Sequence, residues 1–207
     1  MNAAKLTKKP TLMTALLSVA TIAGYSTYRL TLSAQEPEQQ PGLAAPNPPG
    51  LADTLPGIVL DDMNGTPTPL ATWSDGAMLV NFWATWCAPC LREIPMLKVF
   101  HAEHEAIEVI GIAVDRAEPV LEYAAEMDFN YPVLVGQADA YEAMAVFQNQ
   151  AQVMPFTAFT APGGAVLGVH YGELHAEHLE NFATTIELLG TGTIDLGQAR
   201  ERIADAE

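Results

Sequence analysis

Between residues 53 and 190 the chain alternates short apolar runs with stretches of helical periodicity. "LPGIVLDDMNGTPTPLATW" (55–73) holds two short apolar runs around Asn64-Gly65, the signature of a small hairpin. Asp75-Gly76 turns the chain into "AMLVNFWA" (77–84), a continuous apolar run suited to a buried strand. From Cys87 the pattern turns helical, with Ile94, Leu97 and Phe100 at helical spacing. "IEVIGIAVD" (107–115) reads as a second buried strand, "EPVLEYAAEMD" (118–128) as a helix and "YPVLV" (131–135) as a strand. "DAYEAMAVFQ" (139–148) is another helix, with Asp139 as a candidate cap. "FTAFTA", the turn "PGG" and "AVLGVHYG" form a second hairpin. "HAEHLENFATTIELLG" (175–190) closes with Leu179, Phe182, Ile186 and Leu189 on one face and Gly190 as the stop. Alternating strands and helices that end in a hairpin and a helix imply a three-layer α/β sandwich.

The flanks of this domain follow different rules. Lys5, Lys8 and Lys9 stand before an uncharged run from Pro10 to Tyr28. As a helix those residues would extend about 28 Å, close to a bilayer core of roughly 30 Å. Basic residues in front place residues 1–9 in the cytoplasm and the remainder outside. An uncleaved single-pass anchor over 10–30 is the expectation, and a signal peptide cleaved after "LSA" (32–34) is the alternative. Both readings export the domain. Residues 31–52 are rich in proline and form a linker, extended and semi-rigid. Residues 191–207 read as a short polar tail or helix with no evident chemistry.

Composition sharpens this picture. About half of the 207 residues are apolar, enough for a core that needs no disulfide staples. Beyond residue 30 the chain carries 5 basic against 25 acidic residues, a net charge of −20. Such a surface repels phosphate backbones, which argues against nucleic acid as a partner.

Both cysteines of the chain, Cys87 and Cys90, lie in "FWATWCAPCLREIP" (82–95). A structural disulfide closing so short a loop constrains the unfolded chain very little. A zinc site wants four ligands; no second pair of cysteines exists, and His101 and His104 have no convincing reach to this one. Redox exchange fits better. Where a buried strand gives way to a helix, Cys87 falls at the helix N-terminus, whose unpaired N–H groups and dipole stabilise a thiolate. Cys90 follows one turn on, and Pro89 suits a first turn in which its missing N–H would have had no partner. Outside the cytoplasm such a pair is oxidised unless something keeps it reduced.

The segment "NFWATWCAPCLREIP" resembles the active-site segment of thioredoxin-like proteins of the exported TlpA/ResA/DsbE group. Trp86, Cys87, Pro89, Cys90, Glu93 and Pro95 carry the motif. "VMPFTAF" followed by "PGGAVLGVHYGEL" is similar to that group's cis-proline strand and terminal hairpin, and 116–148 resembles its added helix and strand. The resemblance covers about residues 53–190. It implies a thioredoxin-like α/β/α sandwich with an N-terminal hairpin and a central helix–strand insert. Cys87 would be the nucleophile and Cys90 the resolving thiol. Glu93 would handle protons for Cys90, the alternative being a solvated carboxylate that merely favours the positive helix end. Pro155 would be the cis-proline, with Met154 and Trp86 shaping the surface where a substrate docks. Thioredoxin itself carries a buried Asp where this chain has Asn81, which shifts any acid–base work onto Glu93.

The function so implied is a thiol–disulfide oxidoreductase, tethered to a bacterial inner membrane and facing the periplasm. It would reduce exported proteins, apocytochrome c among them, and be recharged by a membrane thiol donor, with no cofactor and no metal. Two rivals share the fold. A copper chaperone would use the cysteines and a distal histidine such as His170. A thiol peroxidase would need a Thr and an Arg around its reactive cysteine; Thr85 is in place, but no peroxidase motif is complete. His175 and His178, spaced for a possible metal pair, are better read as capping or exposed residues, and the eight methionines as core.

Overall fold

The computed structural model describes residues 54–205, residue 56 excepted. The expected anchor and the whole of the linker therefore lie outside the described residues, within which no helix is long and apolar enough to cross a membrane. Seven strands form one sheet: β1 (Val59–Asp62), β2 (Pro67–Pro69), β3 (Ala77–Trp83), β4 (Ile107–Val114), β5 (Val133–Gly136), β6 (Phe156–Thr160) and β7 (Val166–Tyr171), in the order β2-β1-β5-β4-β3-β6-β7. The helices are α1 (Ala88–Glu103), α2 (Ala117–Met127), α3 (Ala138–Val146), α4 (Ala176–Gly190) and α5 (Leu196–Ala204), with one 3-10 turn at Leu70–Trp73.

The central strand β3 runs parallel to β4 and antiparallel to β6, and every one of its residues is buried. Its alternation feeds two cores. Leu79 and Trp83 face α1, α2 and α4 through Ile94, Leu97, Val120, Phe182 and their neighbours. Met78, Val80 and Phe82 face α3 through Ala143, Met144 and Phe147. Helices on both faces of one sheet make the expected three layers.

The insert has an architectural role. β5 pairs in parallel with β4 on one side and antiparallel with β1 on the other, so the N-terminal hairpin joins the sheet through the inserted strand. The Asn64-Gly65 turn is closed by the Asp62 carboxylate, which accepts the N–H groups of Asn64 at 2.8 Å and Thr66 at 2.9 Å.

Two local expectations shift, and the segment after Gly190 takes the helical of its two expected forms. Gln137, not Asp139, occupies the cap of α3; Asp139 lies in the first turn, where its charge still favours the helix end. α4 runs through Gly190 to a cap at Thr191, and the left-handed residue that ends it is Gly192, at φ 69°. The helical bonding continues to Thr191, whose N–H donates to the Glu187 carbonyl, so the reversal needs its glycine two positions later. The segment after Gly190 contains α5, capped by Asp195, which accepts the Gln198 N–H at 2.9 Å. Ala199 and Ile203 of α5 are buried against the sheet edge. A Cβ on Gly168 would lie 2.6 Å from Ile203 Cγ2, so glycine in β7 is what admits the helix there.

Candidate active site

β3 ends at Trp83, and four residues later the chain enters α1 with Cys87 in the cap position and Pro89 in the first turn. Apolar burial of β3 fixes where that loop emerges, and the loop is then tied down from two sides. The Cys87 N–H donates to the Ala84 carbonyl at 3.1 Å. Asp115, at the end of β4, accepts the Thr85 N–H at 3.2 Å and its hydroxyl at 2.6 Å. Cys87 and Cys90 are joined in a disulfide. Cys90 is fully buried and Cys87 is 6% exposed. Both cysteines are thus buried, and Cys87 is less open than its helix-end position implies. Bonded to Cys90, it sits within the apolar cluster under α1, while its neighbour Trp86 is 63% exposed.

Glu93 is not a solvated carboxylate. It is 2% exposed, on the face of α1 that meets the sheet. Its Oε1 accepts from Asn81 Nδ2 at 2.7 Å and its Oε2 accepts the Leu174 N–H at 2.7 Å. Asn81 Nδ2 also donates to Thr157 Oγ1 at 3.1 Å, which ties β3, β6, α1 and the β7–α4 connection into one buried polar cluster. Burial pushes Glu93 up to about 7; the bonds from Leu174 and Asn81 pull the other way, and the charge of Glu173 adds to the rise. Tyr131, also buried, is held well above the usual phenol range by burial and by the charge of Glu93. Its hydroxyl and Asn81 Oδ1 have no hydrogen-bond partner among the described residues.

Met154–Pro155 is a cis peptide bond. Pro155 is buried, Met154 half-buried, and the Pro155 carbonyl accepts the Gly172 N–H at 2.9 Å. The Gly172–His175 connection thus bridges the Pro155 edge and Glu93.

The residues singled out for the rival chemistries have other partners. The Thr85 hydroxyl is bonded to Asp115. The His170 ring packs 4.3 Å from that of His178, and burial holds His170 below its ordinary range. His175 caps α4, and its N–H donates to His178 Nδ1 at 2.9 Å. Among the described residues no group of three or more His, Cys, Asp or Glu is arranged to hold a metal ion.

The arrangement suits proton-coupled disulfide exchange. A sulfur at a helix N-terminus is favoured as a thiolate. A buried acid poised near neutral pH lies one turn beyond the second sulfur. Sequence reasoning located the cysteines and Glu93 but not Asn81 as a donor to the acid, nor Tyr131 or the Leu174 N–H. A backbone N–H leaves no mark in a sequence; Asn81 in an otherwise apolar strand was a visible signal.

A family model described as AhpC/TSA matches residues 51–166. Thiol-disulfide oxidoreductase ResA of Bacillus subtilis is 25% identical over 179 residues, covering 83% of this chain and 89% of that protein. ResA of Oceanobacillus iheyensis is 25% identical over 133 residues, and the match spans 62% of this chain and 66% of the relative. Among solved structures, a thiol:disulfide interchange protein of the thioredoxin family from Chlorobium tepidum superposes with a TM-score of 0.57 at 24% identity, over 70% of this chain and 98% of that one. One from Bacteroides sp. has a TM-score of 0.57 at 19% identity, over 70% and 95%. The two superpositions establish the thioredoxin-like fold. The chain belongs to the AhpC/TSA family and is a thiol–disulfide oxidoreductase of the TlpA/ResA/DsbE type.

Proposed function

We propose that the protein is anchored in the inner membrane and reduces disulfides of exported proteins in the periplasm, with Cys87 as attacking thiol, Cys90 as resolving thiol and Glu93 as proton acceptor. The observation that carries this reading is the buried carboxyl of Glu93 within one turn of Cys90, beneath a cysteine pair at a helix N-terminus. The Cys87 thiolate attacks one substrate sulfur, and the substrate S–S bond breaks as the mixed disulfide forms. The departing substrate thiolate takes up a proton. Cys90 gives its proton to Glu93 and attacks the Cys87 sulfur, releasing the second substrate thiolate, which is protonated in turn. The substrate gains two electrons and two protons, and the pair ends as the disulfide. A membrane thiol donor returns it to the dithiol by the reverse exchange.

Trp86, Met154 and Pro155 form the docking surface in this reading. Trp86 offers a large exposed ring beside the pair, and the Met154–Pro155 edge offers backbone groups to an extended substrate segment. Apocytochrome c is the substrate that the family resemblance brings forward. Three lysines ahead of an uncharged run support the anchor and its orientation, on residues outside those described.

Trapping tests the assignment of roles. Cys90→Ala should accumulate mixed disulfides with substrates in cells, dispersed by added reductant. Cys87→Ala should give far fewer, since its remaining thiol is fully buried. Equal trapping by both variants would refute the roles; no adducts from either would remove redox exchange itself.

A further inference from the structure

The connection from β7 to α4, Gly172–His175, is held from several directions. The Gly172 N–H donates to the Pro155 carbonyl at 2.9 Å, and the Leu174 N–H donates to Glu93 Oε2 at 2.7 Å. The Glu173 carboxylate receives both Nε, at 3.0 Å, and Nη2 of Arg92. Arg92 and Glu93 are consecutive residues of α1, so the helix grips this strap with two successive side chains. The outer grip is open, with the Arg92 side chain 60% and the Glu173 side chain 26% exposed, while the inner one is buried. Gly172 contributes no side chain, and Leu174 is the strap's buried apolar anchor.

We propose that Arg92 and Glu173 are positioning residues: their ion pair fixes the strap so that the Leu174 N–H stays on Glu93 and the Gly172 N–H stays on the Pro155 carbonyl. A single exposed ion pair contributes little to stability, but a two-pronged Arg–carboxylate contact fixes orientation, and orientation is what two backbone donors need. The catalytic consequence rests on the reading of Glu93 as proton acceptor. The groups that act on Glu93 are Asn81 from β3, Tyr131 ahead of β5 and Glu173 from the strap, with Cys90 one turn back on the same helix. Tyr131 stays protonated across the working range, so Glu173, neutralised by Arg92, is the charge that the strap brings to the acid. With the outer grip lost, Glu93 keeps its burial but loses a donor that holds its ionised form, and it binds its proton more tightly.

The full-length chain, labelled at the glutamate carboxyls, allows two readouts by NMR. In Arg92→Met the Glu93 titration should move upward by about 0.5–1 pH unit, the worth of one hydrogen bond. Amide exchange at Gly172 and Leu174 should become about tenfold faster, as local opening there becomes easier. Glu173→Gln breaks the same pair from its other side and should quicken the same two amides. The charge-swapped variant, Arg92→Glu with Glu173→Arg, should bring both readouts back towards the parent. Unchanged exchange in either single variant overturns the proposal, including the case in which the titration moves alone, because loss of a counter-charge would then explain it. A folded swap that restores neither readout overturns it too. A Glu93→Gln protein with the parental pH–rate profile would instead remove Glu93 from proton transfer, leaving the strap measurement intact.

Discussion

Glu93 is an acid placed where an acid costs stability. Burial raises it from 4.5 to about 7, so between those values the folded protein holds a proton that the unfolded chain has released. Stability must therefore fall as pH rises through this window. The total is roughly 3 kcal/mol, reached above pH 7, and fully absent below pH 4.5. Glu93→Gln should abolish that slope: urea unfolding of the oxidised variant at pH 5 and pH 8 should give nearly equal stabilities, where the parent loses stability. An unchanged slope would mean that the carboxyl is solvated. The same substitution should alter the pH dependence of thiol reactivity, measured by alkylation of the reduced pair, because Cys90 would lose its proton acceptor. The bonds from Asn81 and Leu174 make both effects specific, since they hold the carboxylate oxygens on the site side of α1.

At the scale of elements, the sheet edges explain features that the chemistry does not. β2 carries Pro67 and Pro69, which remove N–H donors from an edge strand and discourage pairing with another chain. The opposite edge, β7, is covered by α5, where Ile203 is 4% exposed and Arg200 Nε donates to the Val166 carbonyl at 3.1 Å. α5 is therefore part of the folded domain. Ile203→Ala should cost about 2–4 kcal/mol in urea unfolding, the range for emptying a buried aliphatic site. A loss below about 0.5 kcal/mol would show that the helix rests on the edge without supporting it. The disulfide chemistry should be unaffected in the folded variant, since the main contacts of α5 are with α4 and β7 rather than with α1.

For the whole molecule, the proposed topology rests on the separation of charge. Basic residues precede the uncharged run and all the acidic residues follow it, which orients the domain outward if the run spans a membrane. A phosphatase reporter fused after residue 207 should then be active, and one that works only in the cytoplasm should not. The reverse result would put the pair in a reducing compartment and remove the need for a dedicated donor. The acidic surface also favours partners that are neutral or basic near their disulfides, with association slowed by salt.

The sequence by itself determined the pattern of elements, because burial on one or two faces writes itself as periodicity: β3, β4 and α1 fall where the apolar runs and helical spacing placed them. It also determined the chemistry of the pair, since two cysteines one turn apart behind a buried strand have few other uses. Turn and cap details were less legible. Gly190 and Gly192 are equally able to reverse a chain, and only the helical bonding that continues to Thr191 decided between them. The tertiary structure alone decided the state of Glu93. Whether a carboxyl three residues after Cys90 meets water or the sheet depends on how α1 packs across β3 and β6, and on a connection some eighty residues away in the chain that brings the Leu174 N–H to it. Periodicity records which side of an element is buried; it does not record which backbone groups from elsewhere will be waiting there.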